Sequence, residues 1–337
     1  MKILATVTKG LEDISAEEIK EIGGQNLEVS QKYINFEIDD LQKCSTLTTV
    51  DDVFIKIKKT TYYNEFVNDL EDPVKEAVVK INEIRKPGKK VSVTVSVYKN
   101  AKVDKKLIEG FMHEVVKDLL GLEVSREDES DYNLRVIIEE TNLFVGLRVF
   151  KRALKDRDYA VRQMFLGSLR PTIAASIIRM VSGNLKELDL VDNFCGSGTF
   201  LAEGILFGHK VKGGDINPTA VNTAITTLST KFGVKDPEIK AQDALQTEWE
   251  DNSFDIAVSN YPWDSQIKVE SITDLYEGSV KEYARILKEK SALGFILTKP
   301  DLMVKFLKDY FPNHKVESRQ IGYLGQTPYI VIASNLS

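Results

Sequence analysis

The sequence is poor in residues that bind metals or cross-link chains. It holds 2 cysteines and 3 histidines in 337 residues. Cys44 and Cys195 lie far apart, and His113, His209 and His314 are scattered. Neither a disulfide framework nor a Cys-x-x-Cys zinc site can be assembled from them, so no metal is expected. No apolar run approaches the ~20 residues that cross a bilayer. Met1-Lys2-Ile3-Leu4-Ala5 leads directly into a patterned segment, without the apolar stretch of a secretory signal. These absences point to a reducing cytoplasm and to no membrane partner. Two nucleotide fingerprints are missing as well. Gly196-Ser197-Gly198-Thr199-Phe200-Leu201 lacks the third glycine of GxGxxG, and there is no P-loop Gly-Lys-Ser/Thr. A standard NAD site and an ATP site are both disfavoured. Nothing in the sequence sets an oligomeric state.

What is present is enough apolar material, 42% of residues, for two hydrophobic cores. The net charge of −6 argues at first against nucleic acid. The charge is unevenly spread, however, and phosphate binding follows local potential. Between Arg85 and Lys106 the bases Arg85, Lys86, Lys89, Lys90, Lys99, Lys102, Lys105 and Lys106 face only Asp104. A second basic run, Lys151, Arg152, Lys155, Arg157, Arg162 and Arg170, crosses residues 151–170. Lys86, Lys89, Lys90, Lys105, Arg152 and Arg157 are the candidate phosphate contacts. A solvated face is the plain alternative for such clusters.

The first 150 residues mix strands and helices. Period-2 runs mark strands at 2–8, 27–29, 34–38, 53–57 and 91–97, and a hairpin at 134–149 around Glu140-Thr141-Asn142. Helices are expected over 11–22, 73–84 and 107–120. This order suits small α+β layers. After the basic stretch the rhythm becomes regular. Strands are expected at 188–191, 211–214, around Ile239, and at 254–259 and 293–297. Helices are expected at 171–181, 198–207, 218–231, 274–287 and 301–310, and an antiparallel pair at 315–321 and 329–333 closes the chain. That is the pattern of a doubly wound, mostly parallel α/β sheet.

Two turns carry the chemistry. In Asp192-Asn193-Phe194-Cys195-Gly196-Ser197-Gly198-Thr199 a strand ends in a glycine turn and opens a helix. Ligands of such sheets sit beyond the carboxyl ends of the strands. Gly196 and Gly198 let a ligand approach the backbone, and the helix opening at Thr199 offers free N–H groups. Asp192 can accept from a cofactor amine. Asp215 ends the next strand, where an acid suits a ribose diol. Asp243 can accept from an adenine amino group, with Ala244 leaving room for the ring. Phe194 and Ile216, in and beside these turns, complete the candidate cofactor set with Asn260. The second turn, Asn260-Tyr261-Pro262-Trp263, follows the strand ending at Ser259. The Asn260 side-chain oxygen and the Tyr261 carbonyl can accept both N–H bonds of an exocyclic amine, which localises its lone pair. Pro262 stiffens the turn and Trp263 can stack on a base. A methyl on a sulfonium is already activated, so catalysis is then largely positioning. Asp264 is adjacent and could orient the guanine edge or take the proton later.

The two turns resemble the DPFCGSGT and (N/D)PP(Y/F/W) motifs of class I S-adenosylmethionine-dependent amino-methyltransferases. Asn193 replaces the usual first Pro and Tyr261 the usual middle Pro or Leu. Phe165-Leu166-Gly167-Ser168-Leu169-Arg170-Pro171-Thr172-Ile173-Ala174-Ala175, and the preceding Val145-Gly146-Leu147 to Arg152, resemble THUMP-domain RNA methyltransferases. The resemblance implies a Rossmann-like methyltransferase domain over 171–337 and a basic linker over 151–170. It also implies a ferredoxin-like domain over 1–50 and a THUMP RNA-binding domain over 51–150. S-adenosylmethionine is the implied cofactor, RNA the implied partner, and N2-methylguanosine in tRNA the implied product. Ribosomal RNA stays open as substrate, as does a non-catalytic RNA-binding protein of the same fold. A DNA adenine or protein glutamine methyltransferase uses similar acceptor motifs, but the N-terminal module favours RNA.

Overall fold

The computed structural model describes residues 1–60, 71–84, 86–97, 104–139, 142–160, 168–263 and 271–336. The chain forms two compact units, Met1–Val7 with Ala16–Leu154, and Thr8–Ser15 with Lys155–Ser337.

The first unit contains β1 (Lys2–Thr6), α1 (Glu12–Glu21) from Ala16 onward, β2 (Gln25–Ser30), β3 (Tyr33–Glu37), β4 (Asp52–Thr60), α2 (Glu71–Ile84), β5 (Lys90–Val97), α3 (Lys105–Leu120), β6 (Glu123–Val124), β7 (Tyr132–Glu139) and β8 (Asn142–Arg148). The strands join in one eight-stranded sheet, ordered β2-β3-β1-β4-β8-β7-β5-β6. Side chains alternate across it, as a period of two requires. Ile3, Ala5, Val53, Ile55, Val136, Ile138, Val145 and Leu147 enter one core with Ile19 of α1, Ile81 of α2 and Met112 of α3. Leu4, Phe54, Ile137 and Phe144 form a smaller cluster apart from it. The division expected at residue 50 therefore falls inside a continuous sheet and a shared core. β4 pairs with β1 on one side and β8 on the other, a pairing distant in sequence that no local pattern announces. The expected hairpin is present, although Glu140 and Thr141 of its turn lie outside the described residues.

The second unit contains α4 (Pro171–Ser182), β9 (Asp189–Asp192), α5 (Thr199–Phe207), β10 (Lys210–Asp215), α6 (Pro218–Phe232), β11 (Ile239–Ala241), β12 (Phe254–Asn260), α7 (Ile272–Ile286), β13 (Leu287–Leu297), α8 (Pro300–Tyr310), β14 (Lys315–Gln320) and β15 (Tyr329–Ser334). Its seven-stranded sheet runs β11-β10-β9-β12-β13-β15-β14. The pairings from β11 through β13 are parallel, while β15 and β14 are antiparallel. This is the doubly wound α/β fold with its closing hairpin. Leu190, Ile256, Val258, Ile296 and Ile330 pack with α4, α5 and α6. Val191, Ala257, Phe295 and Val331 pack with α7 and α8. β9, β12, β13 and β15 thus bury both faces, as the central strands of a sheet covered on both sides must.

Two local differences have clear causes. β13 begins at Leu287, directly after α7, rather than at 293. The run Lys288-Glu289-Lys290 hides the alternation, and Lys288 is held there by Asp189 and Asp255 at 3.3 and 2.9 Å. Thr8–Ser15 belongs to the second unit, although sequence order places it in an N-terminal domain. Leu11 enters the second core, the Gly322 N–H donates to the Lys9 carbonyl, and Arg319 pairs with Asp13. Gly10, at φ +91°, allows this approach, because a Cβ there would lie 2.4 Å from the Gln320 oxygen.

Glu18 anchors the first unit. It is buried, and its carboxylate accepts from the backbone N–H and hydroxyl of both Thr48 and Thr49 at 2.6–2.9 Å. Truncation to alanine would leave these donors without their acceptor. Urea denaturation of Glu18→Ala is expected to show a loss of about 3 kcal/mol. A loss of a few tenths would mean that water replaces the carboxylate.

Candidate active site

β9 and β12 are neighbours in the sheet, and each ends in one of the two turns. After Asp192 the chain folds back so that the Cys195 N–H donates to the Gly214 carbonyl and the Gly198 N–H to the Cys195 carbonyl. Gly198 caps α5 in the left-handed region, at φ +89°. Gly196 has φ +51°, and a Cβ built on it meets nothing within 4 Å, so the turn presents bare backbone to open space. Thr199 then starts the helix with N–H groups free of intrahelical partners.

Three carboxylates stand at successive strand ends, with different roles. Asp192 is 1% exposed, and its Oδ1 accepts from the Phe194 N–H at 3.0 Å and the Ser259 hydroxyl at 2.7 Å. Burial pushes its pKa up to about 7, against the pull of these two bonds. It braces the turn to β12 through this one oxygen. Asp215 accepts from the Gly196 N–H at 2.8 Å and, through its other oxygen, from the Asn217 N–H at 2.9 Å. Each oxygen keeps a second lone pair, enough for a vicinal diol. Asp243 is exposed and accepts from the Leu245 N–H. Ala244 is buried beside it, while Ile216 is 76% and Leu245 37% exposed. Two exposed apolar side chains, an acid with lone pairs to spare, an exposed acid and a bare glycine turn form a set that fits a nucleoside-bearing methyl donor.

The turns touch. The Phe194 ring lies 4.7 Å from the Tyr261 ring. Tyr261 is 1% exposed and packs against Tyr276 and Phe295, with its hydroxyl 2.8 Å from Ser279. Burial raises its pKa well above the usual phenol value. Its backbone N–H donates to the Ile296 carbonyl. The tyrosine in place of Pro or Leu is therefore a core residue, and what it can offer a substrate is its main chain. Asn260 and Pro262 are half-buried at the strand end.

Trp263 requires a correction. An open stacking face is expected of it, yet it is only 4% exposed and lies edge-on to Tyr323, with centroids 5.8 Å apart. It belongs to the core on the α4–α6 side of the sheet. Its Nε1 makes no hydrogen bond among the described residues. Asp264 lies outside the described residues.

Arg157 is also corrected. It donates from Nε to Glu203 at 3.1 Å, and both side chains are largely buried. Tyr159 donates its hydroxyl to the same carboxylate. Glu203 sits within the apolar helix α5, where an unpaired charge would be costly, so it takes the arginine that sequence assigns to phosphate. A lone acid in Phe200-Leu201-Ala202-Glu203-Gly204-Ile205 was the available signal. Lys86 and Lys89 are exposed. Lys90 lies 3.9 Å from Glu129, Lys105 lies 3.4 Å from Glu109, and Arg152 is exposed. Arg85, Lys99, Lys102, Arg162 and Phe165–Gly167 fall outside the described residues. Sequence reasoning also missed Ser259, Tyr283 and Trp249, which brace the turns from below. Ser259 reaches both Asp192 and the Tyr283 hydroxyl, and Trp249 donates to Asn193.

Among the described residues no group of three His, Cys, Asp or Glu could hold a metal ion, and no helix is long and apolar enough to cross a membrane. Comparison with known proteins agrees with the geometry of the second unit. Bos taurus tRNA (guanine(6)-N(2))-methyltransferase THUMP3 is 24% identical over 189 residues, 51% of this chain and 37% of the relative. The ribosomal RNA large subunit methyltransferase K/L of Vibrio cholerae is 26% identical over 226 residues, 63% of this chain and 30% of the relative. The chain spans less than half the length of the curated relatives it matches. The solved structure of TrmN from Thermus thermophilus superposes with a TM-score of 0.78 at 19% identity, covering 99% of both chains. SMU.472, solved complexed with SAH, superposes at 0.74 with 15% identity, covering 99% of this chain and 97% of that one. At these identities the two structures show the fold. Residues 157–327 match the family model UPF0020, and the chain belongs to that family, the RMKL-like methyltransferase domain.

Proposed function

We propose that this chain transfers a methyl group from S-adenosylmethionine to the exocyclic N2 of a guanosine in tRNA. The observation that carries the reading is the contact of the two turns. Phe194 of the glycine turn packs on Tyr261 of the Asn-Tyr-Pro turn, at the carboxyl ends of adjacent strands. A donor held by the first turn and an amine held by the second would be neighbours.

Asp215 would take the ribose hydroxyls, Ile216 and Leu245 the faces of the adenine, and Asp243 its amino group. The Gly196–Gly198 backbone would lie under the amino-acid portion. S-adenosylmethionine supplies a methyl whose bond to sulfur breaks as the bond to nitrogen forms. The amine then loses one proton and the donor leaves as a thioether. Asn260 Oδ1 and the Tyr261 carbonyl would accept the two N–H bonds, turning the nitrogen lone pair toward the methyl. This is catalysis by orientation. A guanosine within a helix must first leave the stack to reach these groups. The RNA is assigned to residues 51–150 in the THUMP manner, at the basic segment between Arg85 and Lys106, with Lys86 and Lys89 as exposed cations. Such contacts set register and do not read bases. A cytoplasmic location follows from this reading. Ribosomal RNA is the second reading, favoured by the match to the Vibrio cholerae enzyme.

The deciding experiment is tritium transfer from labelled S-adenosylmethionine to unmodified tRNA and rRNA, followed by nucleoside analysis. Labelled N2-methylguanosine from tRNA is expected; label in rRNA alone selects the second reading, and label in neither removes both. Asp215→Ala should weaken donor binding in calorimetry by about tenfold or more, whereas Asn260→Ala should abolish transfer and keep donor affinity. An active Asn260→Ala enzyme would remove that residue from the acceptor site.

Charge reversal of Lys86 and Lys89 to Glu should weaken tRNA binding and flatten its dependence on salt. Unchanged binding would make them solvated surface.

Asp192 gives a pH signature. Its folded pKa, about 7, lies above the ordinary 3.8. Between these values the folded state keeps a proton that the unfolded state has lost, so this group's contribution to stability declines as pH rises through that window and is flat above it. Asp192→Asn mimics the protonated form. Thermal unfolding from pH 5 to 8 should therefore show the variant gaining on the wild type. Parallel curves would mean that the Asp192 pKa is not raised by folding.

A further inference from the structure

We propose that Asn193 is a positioning residue for the methyl donor. Through a hydrogen bond from Trp249 it sets the spacing between the glycine turn and the loop after β11. The inference rests on the donor site assigned above, and deepens it.

Asn193 lies between Asp192 and Phe194 and is 1% exposed. Its Oδ1 accepts from the Trp249 Nε1–H at 3.0 Å, and its own N–H donates to the Tyr283 hydroxyl at 3.3 Å. Its Nδ2 is buried without a hydrogen bond among the described residues. A buried amide with one end unpaired is a liability to a turn unless its oxygen has a use. The proline usual at this motif position has no side-chain oxygen to accept the indole N–H.

Trp249 is itself fixed from the other side. Arg285 of α7 donates to its carbonyl at 2.7 Å and to Asp251 at 2.6 Å. Glu282 accepts from the Thr247 N–H at 2.9 Å and hydroxyl at 2.6 Å, and from Arg285. Burial works to raise the Glu282 pKa, but these partners hold it below the usual carboxylate value. The indole meets Phe254 edge-on, with Lys240 4.8 Å from the ring centroid. Residues 247–251 are thus clamped to α7, and the indole carries that position across to the turn. Asp243 and Ala244 precede the clamp in the same loop; Phe194 and Gly196 follow Asn193. A donor gripped at its adenine end by one segment and at its amino-acid end by the other requires a set distance between them. The Asn193–Trp249 bond supplies it before the donor arrives, which lowers the ordering cost of binding.

The test uses the full chain, with Asn193→Ala, Trp249→Phe and the double variant, and S-adenosylmethionine as the titrant. Each folded single variant should bind the donor about tenfold more weakly, and the double variant no more weakly than the worse single. The KM for the donor should rise in step, with kcat at saturating donor within about twofold. The sequence has 2 tryptophans, so an ¹⁵N-labelled protein shows two indole N–H resonances. The one absent in Trp249→Phe should shift upfield in Asn193→Ala, with or without donor. Unchanged donor affinity in both variants, additive losses, a fall in kcat at constant KM, or an unmoved indole resonance would each overturn the inference. If Trp249→Phe does not fold, Asn193→Ala against the wild type decides on affinity and on the resonance that moves. A wild-type protein that binds no S-adenosylmethionine overturns the donor reading and this inference with it. Wild-type binding with unaltered variants overturns the inference alone.

Discussion

The Asp192 carboxylate, sealed between two strand ends, is the constraint around which the rest of the site is arranged. One oxygen takes the Phe194 N–H from the turn above and the Ser259 hydroxyl from the next strand. It therefore ties the glycine turn to the strand that ends in Asn260. Ser259 in turn reaches the Tyr283 hydroxyl on α7, which also receives the Asn193 N–H. A single buried acid thus joins β9, β12 and α7 in one hydrogen-bonded net. Removing water from the acid raises its pKa, so the net is held by hydrogen bonds more than by a stable buried charge.

That net explains the two departures from the methyltransferase motifs. Where the motif has proline at 193, rigidity is inherent in the ring; here an asparagine is held by Trp249 and Tyr283. Where the motif has proline or leucine at 261, the chain has a tyrosine whose ring fills the space between Phe194, Tyr276 and Phe295. Its hydroxyl would be costly if unpaired, but Ser279 satisfies it. In both cases tertiary contacts stand in for local stiffness.

Charge is used in two ways along the chain. Lys86 and Lys89 stay in water. Arg157 and Arg148 do not. Arg148 lies between Asp52 and Glu127, each at 2.7 Å, and Arg157 neutralises the buried Glu203. A count of bases along a sequence cannot separate these classes, because the partner acids lie 21 to 96 residues away.

The sequence by itself determined the elements, the alternation of the strands and the identity of both turns. Each depends on chemistry within a few residues: period-2 burial, a glycine that tolerates positive φ, a proline that starts a helix. The positions of Asp192, Asp215 and Asp243 at strand ends were legible for the same reason. Tertiary structure alone decided what depends on distant partners. It joined β1–β4 and β5–β8 in one sheet and drew Thr8–Ser15 into the second unit. It buried Trp263 against Tyr323 and turned Arg157 inward to Glu203. Pairing energies between segments far apart in sequence leave no periodic trace in either segment, so they become visible only once the chain is folded.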